Sequence, residues 1–172
     1  SLANKVEKKF DIEFPINILN IGGIANITTT LSEKDFSNGG KIYAYDIGPG
    51  NCLIDEWIRK NSKKKFDNDG LIAQSGKIDQ LILNQAIDNF EIQSYNKSLD
   101  IKDFDISFAR GLSLPDGAKT LTDFTAGIIG SELNKNIGNY NNEVKNILVC
   151  GGGRKNQILM EEIKKNLKKG LK

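Results

Sequence analysis

Hydrophobic residues in the first third of the chain alternate with polar ones and then stop at glycines. The stretch 16–21 reads as a strand, Gly22-Gly23 as a turn, and 24–31 as a second strand. A Gly-Gly pair between such runs favours a two-residue hairpin turn, which needs positive φ. The apolar run 41–46 predicts a third strand that leads into Gly48-Pro49-Gly50. The pattern therefore predicts an antiparallel β-β-β meander.

The rest of the chain shows mostly helical spacing of apolar residues. It predicts helices over 51–61, 71–75, 77–89 and 119–137, irregular structure with short helical pieces over 90–114, and a final strand 144–150 followed by a helix over 156–167. Asn51 is the expected N-cap of the first helix. This order predicts an α/β fold in one domain, 1–172, with a mixed sheet that is antiparallel at its start and parallel later. Residues 1–12 are expected to be a ragged leader.

Composition narrows the possible functions. With 38% hydrophobic and 27% charged residues, the 172-residue chain is typical of a globular protein that is expected in the cytoplasm. The small formal charge of +2 argues against nucleic-acid binding, and the lack of a long apolar run argues against a membrane span. The chain is therefore expected to bind neither nucleic acid nor a membrane. The absence of histidine excludes histidine-based triads, histidine metal sites and a histidine general base within the chain. Cys52 and Cys150, which stand beside glycine turns, are expected to be buried, reduced thiols.

Three glycine-centred turns carry the candidate chemistry, because each follows a predicted strand. They are Gly22-Gly23, Gly48–Asn51 and Gly151–Gly153. A strand that runs into small residues brings bare backbone N–H groups close to a ligand, and such concavities suit phosphate. One turn of this kind is more often structural. Three of them predict a nucleotide cleft.

Polar residues at these turns add specific possibilities. Asn26 is a candidate side-chain donor, and the helix that starts after Gly50 has a positive dipole end that favours phosphate. Asp46, at a strand end, either binds Mg²⁺ or accepts hydrogen bonds from the glycine turn. The Gly151–Gly153 stretch fits neither the dinucleotide motif nor a P-loop, because its spacing differs and no Gly-Lys-Ser/Thr follows. We expect it to be a flat surface for a base or ribose, with Arg154 facing solvent.

Several segments, in order along the chain, resemble the anhydro-N-acetylmuramic acid kinases, a branch of the sugar kinase/Hsp70/actin ATPase superfamily. The resemblance is carried by LNIGGIANIT (19–28), YDIGPGNCLID (45–55), FDNDGLIAQSG (66–76), TLTDFTA (120–126) and VCGGGRKNQILM (149–160), and more weakly by 97–104. It implies an actin-like (ribonuclease H-like) ATPase lobe. It also implies a reaction in which water opens the 1,6-anhydro ring of the sugar while the γ-phosphoryl of ATP moves to O6, as part of cell-wall recycling.

The resemblance also implies roles for the turns. Gly22-Gly23 would be a phosphate loop, Gly151–Gly153 the adenosine motif, and the Asp46–Asn51 turn a wall of the cleft near the phosphates or the sugar. The implied cofactors are ATP and Mg²⁺, with Asp46 as the metal ligand. The residues expected to bind the cofactor are Gly22, Gly23, Asn26, Gly48, Gly50, Asn51, Gly151, Gly152, Gly153 and Asn156.

Family members also have an N-terminal lobe, with another phosphate loop and the aspartate that activates water. The chain is therefore expected to be most of a C-terminal lobe, without a catalytic residue of its own and inactive by itself. Its expected partners are the anhydro sugar and the missing lobe. A homodimer is a further expectation, because a separated lobe exposes an apolar face. Two alternatives stay open: a nucleotide-binding module without chemistry, and a related kinase for another sugar.

Overall fold

The computed structural model describes residues 14–32, 42–90, 98–141, 143–144 and 146–168. The predicted leader, 1–12, lies outside these residues. The strands are β1 (Ile16–Ile21), β2 (Ile24–Thr30), β3 (Ile42–Pro49) and β4 (Asn146–Cys150), and the helices are α1 (Cys52–Asn61), α2 (Leu71–Gln74), α3 (Gln80–Asp88), α4 (Leu114–Asn139) and α5 (Gln157–Asn166). Short 3₁₀ turns lie at 68–70, 101–103, 107–109 and 152–155.

The four strands form one mixed sheet in the order β3-β2-β1-β4. β2 is antiparallel to β1 and to β3, whereas β4 runs parallel to β1, as the sequence predicts. Ile24 pairs with Pro49, so β3 ends where β2 begins. Asn20 pairs with Cys150, so β1 and β4 end together. All three glycine turns therefore lie at the same edge of the sheet.

The core lies between one face of this sheet and the helices. Alternate residues of β1 and β2 (Leu19, Ile21, Ala25 and Ile27) are fully buried on that face. The predicted apolar face of α1 is buried as well. Period-two burial in the strands and period-3.6 burial in α1 place both elements as the sequence predicts.

Helix α4 is the central helix and is longer than the sequence pattern predicts. It begins at Leu114, because Ser113 occupies the N-cap position and its Oγ accepts a hydrogen bond from the Asp116 N–H at 3.2 Å. The Ser-x-x-Asp spacing and Pro115 in the first turn are sequence signals for this start. The helix packs against α1, α2, α3, α5 and β3. A prediction based on a single apolar stripe underestimates the length of a helix that is buried on several sides.

Buried polar side chains tie the sheet to α4 at the end remote from the glycine turns. Asn17 donates to the Asn136 Oδ1 at 2.7 Å and accepts from the Thr29 hydroxyl at 2.8 Å. Asn136 also donates to the Tyr45 hydroxyl at 3.1 Å. Because these groups satisfy one another, their burial adds specificity to the packing without an unpaired donor. Across the described ranges, no helix combines the length and apolarity that crossing a bilayer requires.

Candidate functional site

Backbone hydrogen bonds join the first two glycine turns. The N–H groups of Gly50 and Cys52 donate to the Gly23 carbonyl at 2.9 and 3.1 Å, and the Asn51 N–H donates to the Gly22 carbonyl at 2.8 Å. The first amides of α1 are therefore engaged with the hairpin itself. The positive end of this helix therefore stabilises the Gly22-Gly23 carbonyls. The sequence pattern predicted instead that it would face phosphate directly.

The third turn lies against the first two. Gly151 has a φ of +84°, and a Cβ atom there would lie 2.5 Å from the Asn20 Oδ1 and from the Ile21 carbonyl oxygen. A Cβ on Gly153 would overlap the Ile21 side chain and would lie 3.1 Å from the Asn51 Oδ1. Glycine is therefore required at both positions by the close approach of the last residues of β1, Asn20 and Ile21. The three predicted turns therefore pack together, with Gly48, Gly50 and Gly153 buried and Gly22, Gly23, Gly151 and Gly152 at least partly exposed.

Gly22 and Gly152 are among the glycines of these turns that the fold does not require. A Cβ on Gly22 would come no nearer than 3.4 Å to another atom, and one on Gly152 no nearer than 3.8 Å. Neither residue has a positive φ. A Cβ at either position would make only ordinary contacts, so the described residues give no reason for glycine. A ligand that lies against the backbone would give one, and binding of the phosphate chain and adenosine here stays a prediction.

The hairpin also presents a backbone donor. Within the described residues, the Gly23 N–H meets no backbone acceptor, although the Gly22 N–H donates to the Ile24 carbonyl at 3.2 Å. Gly23 is exposed. A bare N–H at the tip of a strand turn suits an anionic oxygen.

Local details differ from three expectations. Gly22 and Gly23 do not have the positive φ expected of a two-residue hairpin, because the last paired residues, Ile21 and Ala25, leave a wider connection. Asn51 occupies the N-cap position without a side-chain cap bond, and its side chain lies near Gly153 instead. The residues after Gly151 form a 3₁₀ turn and not a flat stretch.

A row of polar residues crosses the sheet just before the turns. Asn20 pairs with Asn26, and Asn26 pairs with Asp46, so the three side chains share the face opposite the core. Asp46 accepts hydrogen bonds from the Leu99 N–H at 2.9 Å and from the Ser98 hydroxyl at 3.2 Å. Its carboxylate therefore anchors residues 98–99, not the glycine turn. Within the described ranges, no cluster of three or more potential metal-binding residues occurs.

Two predicted binding residues have structural explanations. Gly48 is buried, and a Cβ there would lie 2.6 Å from the Ile128 Cγ2. The Asn156 Oδ1 caps α5 by accepting from the Leu159 N–H at 3.0 Å, and the side chain is buried. Folding accounts for both residues, so cofactor binding by them stays a prediction.

The two thiols differ, contrary to the expectation that both are buried. Cys52 is buried at the start of α1, and burial raises the pKa of its thiol to about 11. Cys150 is exposed, because it ends β4 on the face that it shares with Asn20. Arg154 is exposed, as predicted, and donates to the Gly151 carbonyl at 3.1 Å. This guanidinium places a positive charge beside the third turn.

Comparison with known proteins gives a consistent result. The sequence model of the family described as anhydro-N-acetylmuramic acid kinase matches residues 10–171. A curated relative from Pelagibacter ubique with that name is 49% identical over 170 residues, which are 98% of this chain and 43% of the relative. A relative of the same name from Rhizorhabdus wittichii is 39% identical over 153 residues, covering 88% of this chain and 40% of the relative.

A third relative, from Rhizobium rhizogenes, is 38% identical over 144 residues, or 83% of this chain and 36% of the relative. The chain thus spans about two-fifths of the length of these curated relatives. The residues that the family model matches, 10–171, include all three glycine turns.

Proposed function

Since the chain belongs to the anhydro-N-acetylmuramic acid kinase family, we propose that it forms the nucleotide-binding part of an ATP-dependent kinase for that anhydro sugar. The observation that carries the proposal is the meeting of three glycine turns at one sheet edge, with free space at Gly22 and Gly152. The four-stranded mixed sheet with flanking helices agrees with an actin-like kinase lobe. The complete enzyme would open the 1,6-anhydro ring and phosphorylate O6.

The residues of this chain would bind and position. The Gly22-Gly23 turn, whose Gly23 N–H meets no backbone acceptor among the described residues, would hold phosphate oxygens, and the Gly151–Gly153 turn would receive the adenosine. Asn26, with Asn20 beside it, would contribute side-chain donors. Gly50 and Asn51 would act through the hairpin, because their N–H groups fix its carbonyls. Bound ATP supplies the phosphoryl group, so rigid positioning by this chain is its contribution to catalysis.

The family resemblance assigns water activation to an aspartate of the other lobe, so we propose that this chain alone does not turn over the substrate. A general base contributes about 10²–10⁴ in rate, and positioning between two lobes contributes more. Asp46 is the proposed Mg²⁺ ligand of this half. Its contacts with residues 98–99 leave it half-buried.

The direct test compares the complete parent protein with the 172-residue chain. We expect the parent to convert the anhydro sugar and Mg-ATP to a 6-phosphosugar, and the chain to give no detectable product by mass spectrometry. The chain should nevertheless show a rise in Tm with millimolar Mg-ATP if its turns form a half-site, because ligand binding stabilises the folded state. A parent that binds ATP without sugar-dependent turnover would favour a non-catalytic module. A parent that phosphorylates a different sugar would favour the other alternative.

Replacing Asp46 by asparagine tests the metal role. Asparagine keeps an acceptor for the Leu99 N–H but removes the charge that Mg²⁺ needs. In the parent we expect the half-saturating Mg²⁺ concentration to rise roughly tenfold, in line with the cost of altering a metal site. The measurement is initial rate against free Mg²⁺ at saturating ATP.

The matched control is Glu143→Gln, which removes an exposed carboxylate near the start of β4, at the opposite end of the sheet. It should leave the Mg²⁺ dependence unchanged. If Asp46→Asn also leaves it unchanged, the only role of Asp46 is to anchor residues 98–99.

A further inference from the structure

Ile101 is an exposed apolar side chain at the tip of the Gly22-Gly23 hairpin. It is 53% exposed, and its Cδ1 would lie 3.4 Å from a Cβ atom built on Gly23. No local pattern in the sequence distinguishes it, because it lies in an irregular, charged stretch. Its position beside the bare Gly23 N–H places an apolar surface next to an anion-binding one.

Ile101 is held firmly although it is not buried. The Asp100 carboxylate accepts from the Lys102 N–H at 3.0 Å, and the Asp103 carboxylate accepts from the Asp100 N–H at 2.8 Å, so a capping box fixes the 3₁₀ turn 101–103. On one side, Asp46 anchors Leu99. On the other side, Phe104 stacks on Phe90, with ring centroids 6.2 Å apart. An exposed side chain on a fixed backbone turn suits ligand contact, because little further ordering of the backbone is needed on binding.

The order of the strands gives Ile101 a place relative to the other turns. Along the sheet edge, the Gly151–Gly153 turn follows β4, Gly22-Gly23 joins β1 to β2, and β3 lies outermost. The segment that carries Ile101 is anchored on β3 and reaches the β2 side of the hairpin. A line from the Gly151–Gly153 turn through the Gly22-Gly23 turn therefore ends at Ile101.

We propose that Ile101 forms part of the acceptor-sugar site and contributes to specificity there. The inference rests on the proposed function, because it takes the assignment of adenosine and phosphate to the two glycine turns. The group that receives phosphate must lie beyond the terminal phosphate, which is the side of the hairpin where Ile101 lies. The acceptor carries apolar C–H faces and an N-acetyl methyl group. Contact between these groups and Ile101 favours the N-acetylated sugar and keeps water from the hairpin tip.

The test is done on the complete parent protein with Ile101→Ser. We expect the Kd for the anhydro sugar, measured by calorimetry without nucleotide, to rise about tenfold, in the range for lost apolar contacts in a binding pocket. The sugar KM should rise in parallel, whereas the ATP KM and the Tm stay unchanged. Ile101→Val, which keeps most of the apolar surface, should bind the anhydro sugar with a Kd near the parental value.

Ile42→Ser is the matched control. Ile42 is also an exposed isoleucine, at 45%, but it begins β3 at the end of the strand remote from the turns. Its replacement should not change the Kd for the sugar. An active parent in which Ile101→Ser leaves sugar binding and the sugar KM unchanged, or raises the ATP KM instead, would overturn this inference alone. An inactive parent that does not bind the sugar would overturn the proposed function and this inference with it.

Discussion

The Gly22→Val parent enzyme is expected to lose ATP binding, with an ATP KM at least about 100-fold higher or no saturation at all. The reason is geometric, because the valine methyl groups would occupy the space beside the hairpin that the phosphate chain is proposed to fill. A displacement of about 1 Å is enough for a loss of that size. Since a Cβ on Gly22 meets nothing nearer than 3.4 Å, the fold should accept the change. The measurements are ATP KM in the parent and Tm in the 172-residue chain.

Gly152→Val should act in the same way at the Gly151–Gly153 turn, because a Cβ there would come no nearer than 3.8 Å to another atom. Gly138→Val is the matched control. Gly138 is exposed near the end of α4, has no neighbour within 4 Å of a built Cβ, and lies far from the turns. It should leave both ATP KM and Tm nearly unchanged. Unchanged ATP kinetics in both Gly22→Val and Gly152→Val would remove the nucleotide assignment from the cleft.

The main features of the fold were predictable because local signals and global topology agree. Alternating apolar positions set β1 and β2, and the Gly22-Gly23 pair set their antiparallel connection. A later strand followed by a helix favoured a parallel strand late in the chain, and the structure places it, as β4, beside β1. These relations alone bring the three turns to one edge, so the outline of the candidate site could be predicted from the sequence.

The contacts within the site could not be predicted, because they join residues that are distant in the sequence. Nothing local indicates that Asp46 anchors Leu99, that Asn51 turns toward Gly153, or that Ile101 lies on Gly23. Glycines also look alike in a sequence although they serve different purposes. Only the structure separates those required by the fold, such as Gly50, from those with free space beside them.

That separation leads to an opposite expectation for Gly50. A Cβ on Gly50 would overlap the Gly22 carbonyl oxygen, the same atom that accepts the Asn51 N–H. Gly50→Ala must therefore push the two turns apart and weaken the hydrogen bonds that join them. We expect the free energy of unfolding of the 172-residue chain to fall by about 3 kcal/mol, at the upper end for overpacking. For a chain of this size, the Tm should fall by about 6–12 °C.

Gly138→Ala is the control that isolates the cause, because it adds the same methyl group inside a helix where nothing is within 4 Å. There alanine should leave the Tm unchanged or raise it slightly, since glycine is the poorer helix former. If Gly50→Ala were as stable as Gly138→Ala, the first two turns would not pack closely enough to require glycine at residue 50. If instead Gly50→Ala lowers Tm while Gly22→Val lowers only ATP affinity, adjacent glycines have separate roles. One glycine allows the turns to meet, and the other leaves room for the ligand.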